Sequence, residues 1–283
     1  MCADTHHTLR STGAVRAVDF TDWLKTVAIC LVVVDHIGYF FIEAYDWWSV
    51  VGRWAAPPFF FLLGFAHTRT IPLTWVRLGV ILTVLDSWNN GWTWVAPNIL
   101  LSFALIRLAR PRVRALVQRH GWTAFTALVC ALLLALPFAA HLVDYGSAGW
   151  LWALFGLCQR VHIDGRRDVD PARATGEPAS PAHALTGYAG PMRPLACLVA
   201  AAVYLWREQV EFSFPAVQFG VFAMGICVLS VALMCFRRGP SRIQPPAPVA
   251  GVLRFLGHRT LEIYAIQLAG FEFAIILWPD LAA

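Results

Sequence analysis

Lysine is almost missing from this sequence. Lys25 is the only one among the 22 basic residues, and the rest are arginine. Charged residues of both signs fill only 14% of the 283 positions, against roughly 25% in an ordinary globular domain. So few charges cannot cover the surface of a water-soluble domain. A nucleic-acid partner is excluded as well, because the net charge of +5 comes from arginines spaced between apolar runs and not gathered into one patch. The seven cysteines make no CxxC pair and no zinc spacing, and most sit inside apolar runs, where they read as small buried apolar residues. No metal is therefore expected. There is no P-loop, GxSxG, HExxH or GxGxxG, which removes the soluble nucleotide-binding and hydrolase folds. A cleavable leader is not expected either: the first 18 residues are polar, and the first apolar run is long enough to span.

What the chain does have is apolar residues, 58% of the total, with 13 Trp and 19 Phe. A spanning helix needs ~20 mostly apolar residues, and nine candidates can be read: 23–41, 48–66, 73–88, 94–108, 123–142, 148–157, 195–206, 214–236 and 261–278. The expected fold is all-α, a polytopic transmembrane bundle of about nine helices. Arginine and lysine accumulate in cytoplasmic loops. With the N-terminus placed inside, only Arg53 and Arg207 of the 22 basic residues fall on the outer side, so the C-terminus is expected outside. The arginine bias over lysine and the abundant alanine suggest a bacterial protein from a GC-rich genome. Residues 1–18 read as a polar tail, 19–278 as one membrane domain and 279–283 as a short tail. Within the domain, residues 160–194, rich in Pro, Gly, Ala and charge, read as a flexible cytoplasmic linker, and 239–250 as a Pro-rich connector.

Ionisable residues inside a bilayer are costly and are functional candidates by default. His36 lies near the outer end of the first span. Lys25 precedes it by eleven residues, roughly three turns and about 16 Å, so the two share a face. They read either as a base and a phosphate-binding cation at two ends of a passage, or as a satisfied histidine and a snorkelling lysine. Asp22 stands beside Lys25 at the helix start. Asp35 adjoins His36 and so points elsewhere, with Arg53 a candidate partner. Arg53 interrupts the second apolar run just before Pro57 and Pro58, which disrupt the helix; it reads as that partner, as a clamp for a carbonyl or carboxylate, or as an interfacial arginine. Asp86 closes the third span and Asn98 sits at the start of the fourth. Asp144, Tyr145, Glu208 and Glu211 read as solvated outer-loop residues. The last span carries Glu262, Tyr264, Gln267 and Glu272, with Gln267 deep enough to line a cavity. Buried His, Arg and Asp also fit a small-molecule or ion transporter, although no inverted repeat is visible.

Three segments resemble the TraX family, named for the F-pilin acetylase. These are Asp22-Trp23-Leu24-Lys25 through Asp35-His36-Ile37-Gly38, then Gly52-Arg53 through Pro57-Pro58 to Gly64, and Phe255-Leu256-Gly257-His258 with Leu261-Glu262-Ile263-Tyr264. The chain is also similar to the wider acyltransferase-3-like membrane acyltransferases, which share a basic residue, ten intervening positions and a histidine, here Lys25 and His36. The resemblance implies acetyl transfer with acetyl-CoA as cosubstrate and no bound cofactor. It implies His36 as the catalytic group with Asp35 and Arg53 beside it, Lys25 on the donor, and an amine or hydroxyl acceptor on a pilin-like protein or a glycan. One departure stands out. The wider family ends its last helix with Tyr-x-x-His, whereas Tyr264 is followed by Gln267.

Overall fold

The computed structural model describes residues 17–42, 46–68, 70–175, 182–241 and 243–278. Most of the N-terminal tail and all of the C-terminal tail expected from the sequence lie outside these residues. Among the described residues there are ten α-helices, one 3-10 turn and no strand. They are α1 (Phe20–Phe41), α2 (Asp46–Gly52), the 3-10 turn Arg53–Ala55, α3 (Ala56–Phe65), α4 (Leu73–Asn89), α5 (Ile99–Leu142), α6 (Gly146–Thr175), α7 (Ala182–Phe212), α8 (Ala216–Cys235), α9 (Ala247–His258) and α10 (Thr260–Leu277). Five stretches are long and apolar enough to cross a membrane: Phe20–Phe41, Ile99–Ala139, Ala189–Phe212, Ala216–Cys235 and Thr260–Leu277.

Local sequence explains most boundaries. Asp19 and Asp22 form a reciprocal capping box at the start of α1. Asn98 caps α5, its side chain accepting from the Leu100 N–H at 3.1 Å, so the fourth span begins at Ile99 and not at Trp94. Pro57 and Pro58 stand in the first turn of α3, where a missing N–H costs no helical hydrogen bond. The break they mark falls just upstream, at Arg53–Ala55.

Three sequence expectations change. The arginine-rich stretch between the fourth and fifth spans is helical throughout and breaks only at Gly121 (φ 53, ψ −126), a backbone conformation open essentially to glycine. The segment expected to be a linker, 160–194, is helical in α6 as far as Thr175 and in α7 from Ala182, while 176–181 lie outside the described residues. Part of the reason is ionic: Asp164 pairs with Arg160 one turn back at 2.9 Å and with Arg114 of α5 at 3.6 Å. The third change is α9, which opens inside the Pro-rich connector, because a proline in a first turn initiates a helix as readily as it ends one.

The core centres on α3 and α6. Their backbones touch: a Cβ on Gly64 would lie 1.8 Å from the Ala153 carbonyl oxygen, and one on Gly156 2.0 Å from that of Phe61. Small residues at such crossings let membrane helices gain packing contact where lipid offers no hydrophobic drive. Phe60, Phe61, Trp152, Phe155 and Tyr204 are fully buried around them. Outward-facing apolar residues such as Leu134, Phe138, Met224, Val228 and Ile266 are exposed, as a lipid-facing surface requires.

Candidate active site

The broken second span opens a cavity of about 450 Å³ at the end of the bundle away from Lys25 and the arginine-rich ends. Its lining includes Asp35 and His36 from α1, Arg53 from the 3-10 turn, Asp86 from α4, Asn98 at the head of α5, and Tyr264 from α10. Six of the candidates read from the sequence are thus brought to one place from five elements. Asp144, Tyr145, Glu211 and Glu272 complete its polar wall.

Arg53 is the most heavily held group. Its Nη1 donates to the Tyr145 hydroxyl at 3.1 Å. Its Nε lies 3.6 Å from Asp35 Oδ1 and 3.8 Å from Glu208 Oε2. The guanidinium stacks over Phe212 at 4.6 Å, and the Tyr204 hydroxyl donates to the Arg53 carbonyl at 2.6 Å. The pairing of Asp35 with Arg53 follows from helix geometry, because Asp35 and His36 leave the helix in different directions. Gly52 permits it: a Cβ there would lie 2.2 Å from the Asp35 Cβ.

His36 is fixed by packing. Its ring lies 5.7 Å from the Tyr264 ring, tilted by 54°, and 6.3 Å from Phe40 edge-on. Its Nδ1 is buried with no hydrogen-bond partner among the described residues. Tyr264 in turn accepts from Asn98 Nδ2 at 3.0 Å, so the residue that caps α5 also positions the ring above the imidazole. Asn90 donates to Asp86 Oδ1 at 2.9 Å, and Asn89 donates to Glu272. Asp144 lies in the connection between α5 and α6, where burial pushes its carboxyl above the usual carboxylate range against the pull of Arg207 and Arg53.

Other candidates are placed elsewhere. Asp22 is 4% exposed and occupied in the capping box of α1, where it accepts from the N–H of the cap residue Asp19 at 3.0 Å. Lys25 lies in the electrostatic reach of Asp22, Asp19, Arg107 and Arg238 and does not line the cavity. Glu262 is an exposed partner of Arg259 at 3.4 Å. Gln267 is outside the cavity lining, and its amide is buried without a partner among the described residues. The expectation of solvated outer loops also fails at Tyr145 and Glu208. Glu208 is fully buried, bonded to Arg207 and close to Arg53. The signal for it is in the sequence: Tyr204 inside the seventh span is followed at helical spacing by Glu208 and Phe212 beyond its assigned end, and α7 continues through them. Among the described residues no group of three or more His, Cys, Asp or Glu is arranged to hold a metal ion.

A fixed cation, an imidazole with a buried unpartnered nitrogen, and a wall of carboxylates form a site suited to proton transfer on a polar substrate that develops charge. This chain is 32% identical to Protein TraX of Escherichia coli over 135 residues, which is 46% of this chain and 52% of that protein. It is 29% identical over 135 residues to Protein TraX of Escherichia coli strain K12, with the same coverage. The matched stretch therefore spans about half the length of these curated relatives. No solved structure matches the chain. The TraX protein family model matches residues 21–204, well over half the chain, a stretch that holds Asp35, His36, Arg53, Asp86 and Asn98. The chain belongs to the TraX family.

Proposed function

We propose that this protein is a bacterial inner-membrane acetyltransferase that moves an acetyl group from cytoplasmic acetyl-CoA to an amine, such as a pilin N-terminus. We place it with the wider acyltransferase-3-like enzymes, as a single membrane domain with its N-terminus inside. The observation that carries the reading is His36: an imidazole set in a polar cavity, its Nδ1 buried and unpartnered among the described residues. A base in such a site must be within reach of the proton it abstracts.

The chemistry follows from the lining. Five carboxylates, Asp35, Asp86, Asp144, Glu211 and Glu272, face one guanidinium, Arg53. That excess of negative charge favours a cationic acceptor, an ammonium group, over a neutral hydroxyl. The ammonium first gives one proton to solvent, which frees its lone pair to attack the thioester carbonyl, and His36 takes a second proton from the nitrogen as it does so. The C–N bond forms, the C–S bond breaks, and the imidazolium returns the proton to the departing CoA sulfur. Arg53 and the Tyr145 hydroxyl stand ready to stabilise negative charge developing on the carbonyl oxygen. At the other end of the bundle, Arg107, Arg110, Arg114 and Arg160 gather around Asp164 and the loop at His67 and Thr68. This cationic surplus, with Lys25 nearby, suits the phosphates of CoA. The pantetheine arm would then run along the Lys25-to-His36 face, about 16 Å of helix.

The test is a transfer assay on the detergent-purified protein with acetyl-labelled CoA and a panel of amines and hydroxyls. CoA release that depends on an amine, and falls by about 10²–10⁴-fold in His36→Ala, is the expected result. Wild-type turnover unchanged in His36→Ala removes the catalytic role. No turnover with any acceptor or membrane extract turns the reading to transport.

A further inference from the structure

Next to the polar cavity, and separated from it by the broken span, lies a second and larger hollow of about 1160 Å³ that opens sideways. Its walls are Trp23, Val27 and Leu31 of α1 and Val228 and Ala232 of α8, and its floor is Trp54. At one end the two helices are tied by the chain that flanks them, where the Phe20 N–H donates to the Gly239 carbonyl at 3.2 Å and the Ser241 N–H to that of Val18 at 2.9 Å. Above this seam they part. Trp54 stays between them because its Nε1 donates to the Phe222 carbonyl at 3.2 Å and because Gly225 leaves room for the indole.

Along its depth the groove is apolar, and its charge is confined to the sealed end. There Arg237 is exposed among the lining residues. At the same end the Trp23 indole nitrogen is buried and has no hydrogen-bond partner among the described residues. An unpartnered buried N–H is costly, and a cation lining the same end of the groove points to an acceptor that carries negative charge. An apolar trough with a donor and a cation at one end matches an amphiphile whose chain fills the trough and whose anionic head meets Trp23 and Arg237.

We propose that the groove between α1 and α8 is a binding site for an anionic glycerophospholipid of the leaflet on the Lys25 side. One acyl chain lies along α1 against Trp54, and the phosphate accepts from the Trp23 indole and pairs with Arg237. The site is independent of the transfer reaction, although the lipid would support the outer face of Trp54, the residue after Arg53.

The experiment is native mass spectrometry of the full chain, delipidated in lauryl maltoside and then given equal amounts of phosphatidylglycerol and phosphatidylcholine. Wild type is expected to retain phosphatidylglycerol with about a tenfold preference, equivalent to 1.4 kcal/mol. Arg237→Gln should bring the ratio near one, and Val228→Trp, which fills the groove from an exposed position, should reduce retention of both lipids. Circular dichroism of both variants separates loss of the site from loss of fold. Equal retention of the two lipids by wild type overturns the proposal, as does retention unaffected by Val228→Trp. A second copy of the chain or a co-purifying helix seated in the groove overturns it too.

Discussion

Glu208→Gln tests the site's architecture most directly, because sequence and structure disagree about this residue. In an outer loop its charge would be solvated and its loss small. In the structure Glu208 is fully buried, bonded to Arg207 and 3.8 Å from the Arg53 Nε. At that separation a unit charge pair interacts by about 4 kcal/mol at an effective dielectric constant near 20. Removing one partner of a buried pair costs about 3–5 kcal/mol, because the other charge stays buried without full compensation. At roughly 2–4 °C per kcal/mol for a chain of this size class, the midpoint of thermal unfolding should fall by about 6–20 °C. The assay is size-exclusion recovery after heating in lauryl maltoside, run beside Glu262→Gln. Glu262 belongs to an ion pair that is 62% and 50% exposed on its two sides, where the loss should stay within about 1 kcal/mol. Combining Glu208→Gln with Arg53→Met should cost less than the sum of the two, by about 1–3 kcal/mol, since the second change removes the stranded cation. A Glu208→Gln shift no larger than that of Glu262→Gln would refute the buried network and restore the solvated loop.

Other expectations follow from the same contacts. Gly52→Ala places a methyl 2.6 Å from the Asp35 Cα as well as against its Cβ, which backbone cannot easily yield to. It should lose about 1–3 kcal/mol or more together with the transfer activity proposed above, and a wild-type melting midpoint would show that α1 and the end of α2 are not in contact. Asn98→Ala removes the α5 cap, worth about 1 kcal/mol, and the donor to Tyr264. Combined with Tyr264→Phe it should therefore be less than additive, and strict additivity in a double-mutant cycle would exclude the hydrogen bond. His67, in the connection after α3, has its imidazole held below the ordinary histidine range by desolvation and by the neighbouring Arg160. A lowered folded-state pKa means that its contribution to stability is present above the ordinary value of about 6.5 and is lost as pH falls through the folded value. Melting between pH 7.5 and pH 5 should lose part of its pH dependence in His67→Gln, and identical profiles would remove His67 as the cause.

The helices were legible because bilayer thickness fixes their length, and their ends carry punctuation at Asp19, Asn98 and Pro57. Where the fold departed from expectation, composition had been read without context. The charges of Arg160 and Asp164 sit one helical turn apart and pair, so polarity there extends a helix. Pro246 and Pro248 look like a connector, yet proline interrupts a helix only beyond its first turn. Gly121 is inconspicuous among five nearby arginines, and only its backbone angles reveal where the chain turns.

The site was legible to the extent that bilayer physics makes polar residues conspicuous. His36, Asp35 and Arg53 each interrupt an apolar run, and the structure places all three around one break. The reverse inference failed for residues that looked cheap. Glu208 and Tyr145 follow apolar runs, where a carboxylate or phenol costs nothing if the helix has ended. Whether it has ended depends on packing: α7 continues because Phe212 and Tyr204 bury against Arg53 and Phe222. This continuation also sets the chemistry. With Arg53 shared between Asp35 and Glu208, neither carboxylate is directed at His36, and the imidazole is oriented by the tilted Tyr264 ring and by Phe40 packed edge-on. A histidine held by packing, with Nδ1 facing no fixed acceptor, can change protonation state without breaking an ion pair. In the proposed transfer His36 gains and loses a proton in each cycle, and that arrangement serves such a role.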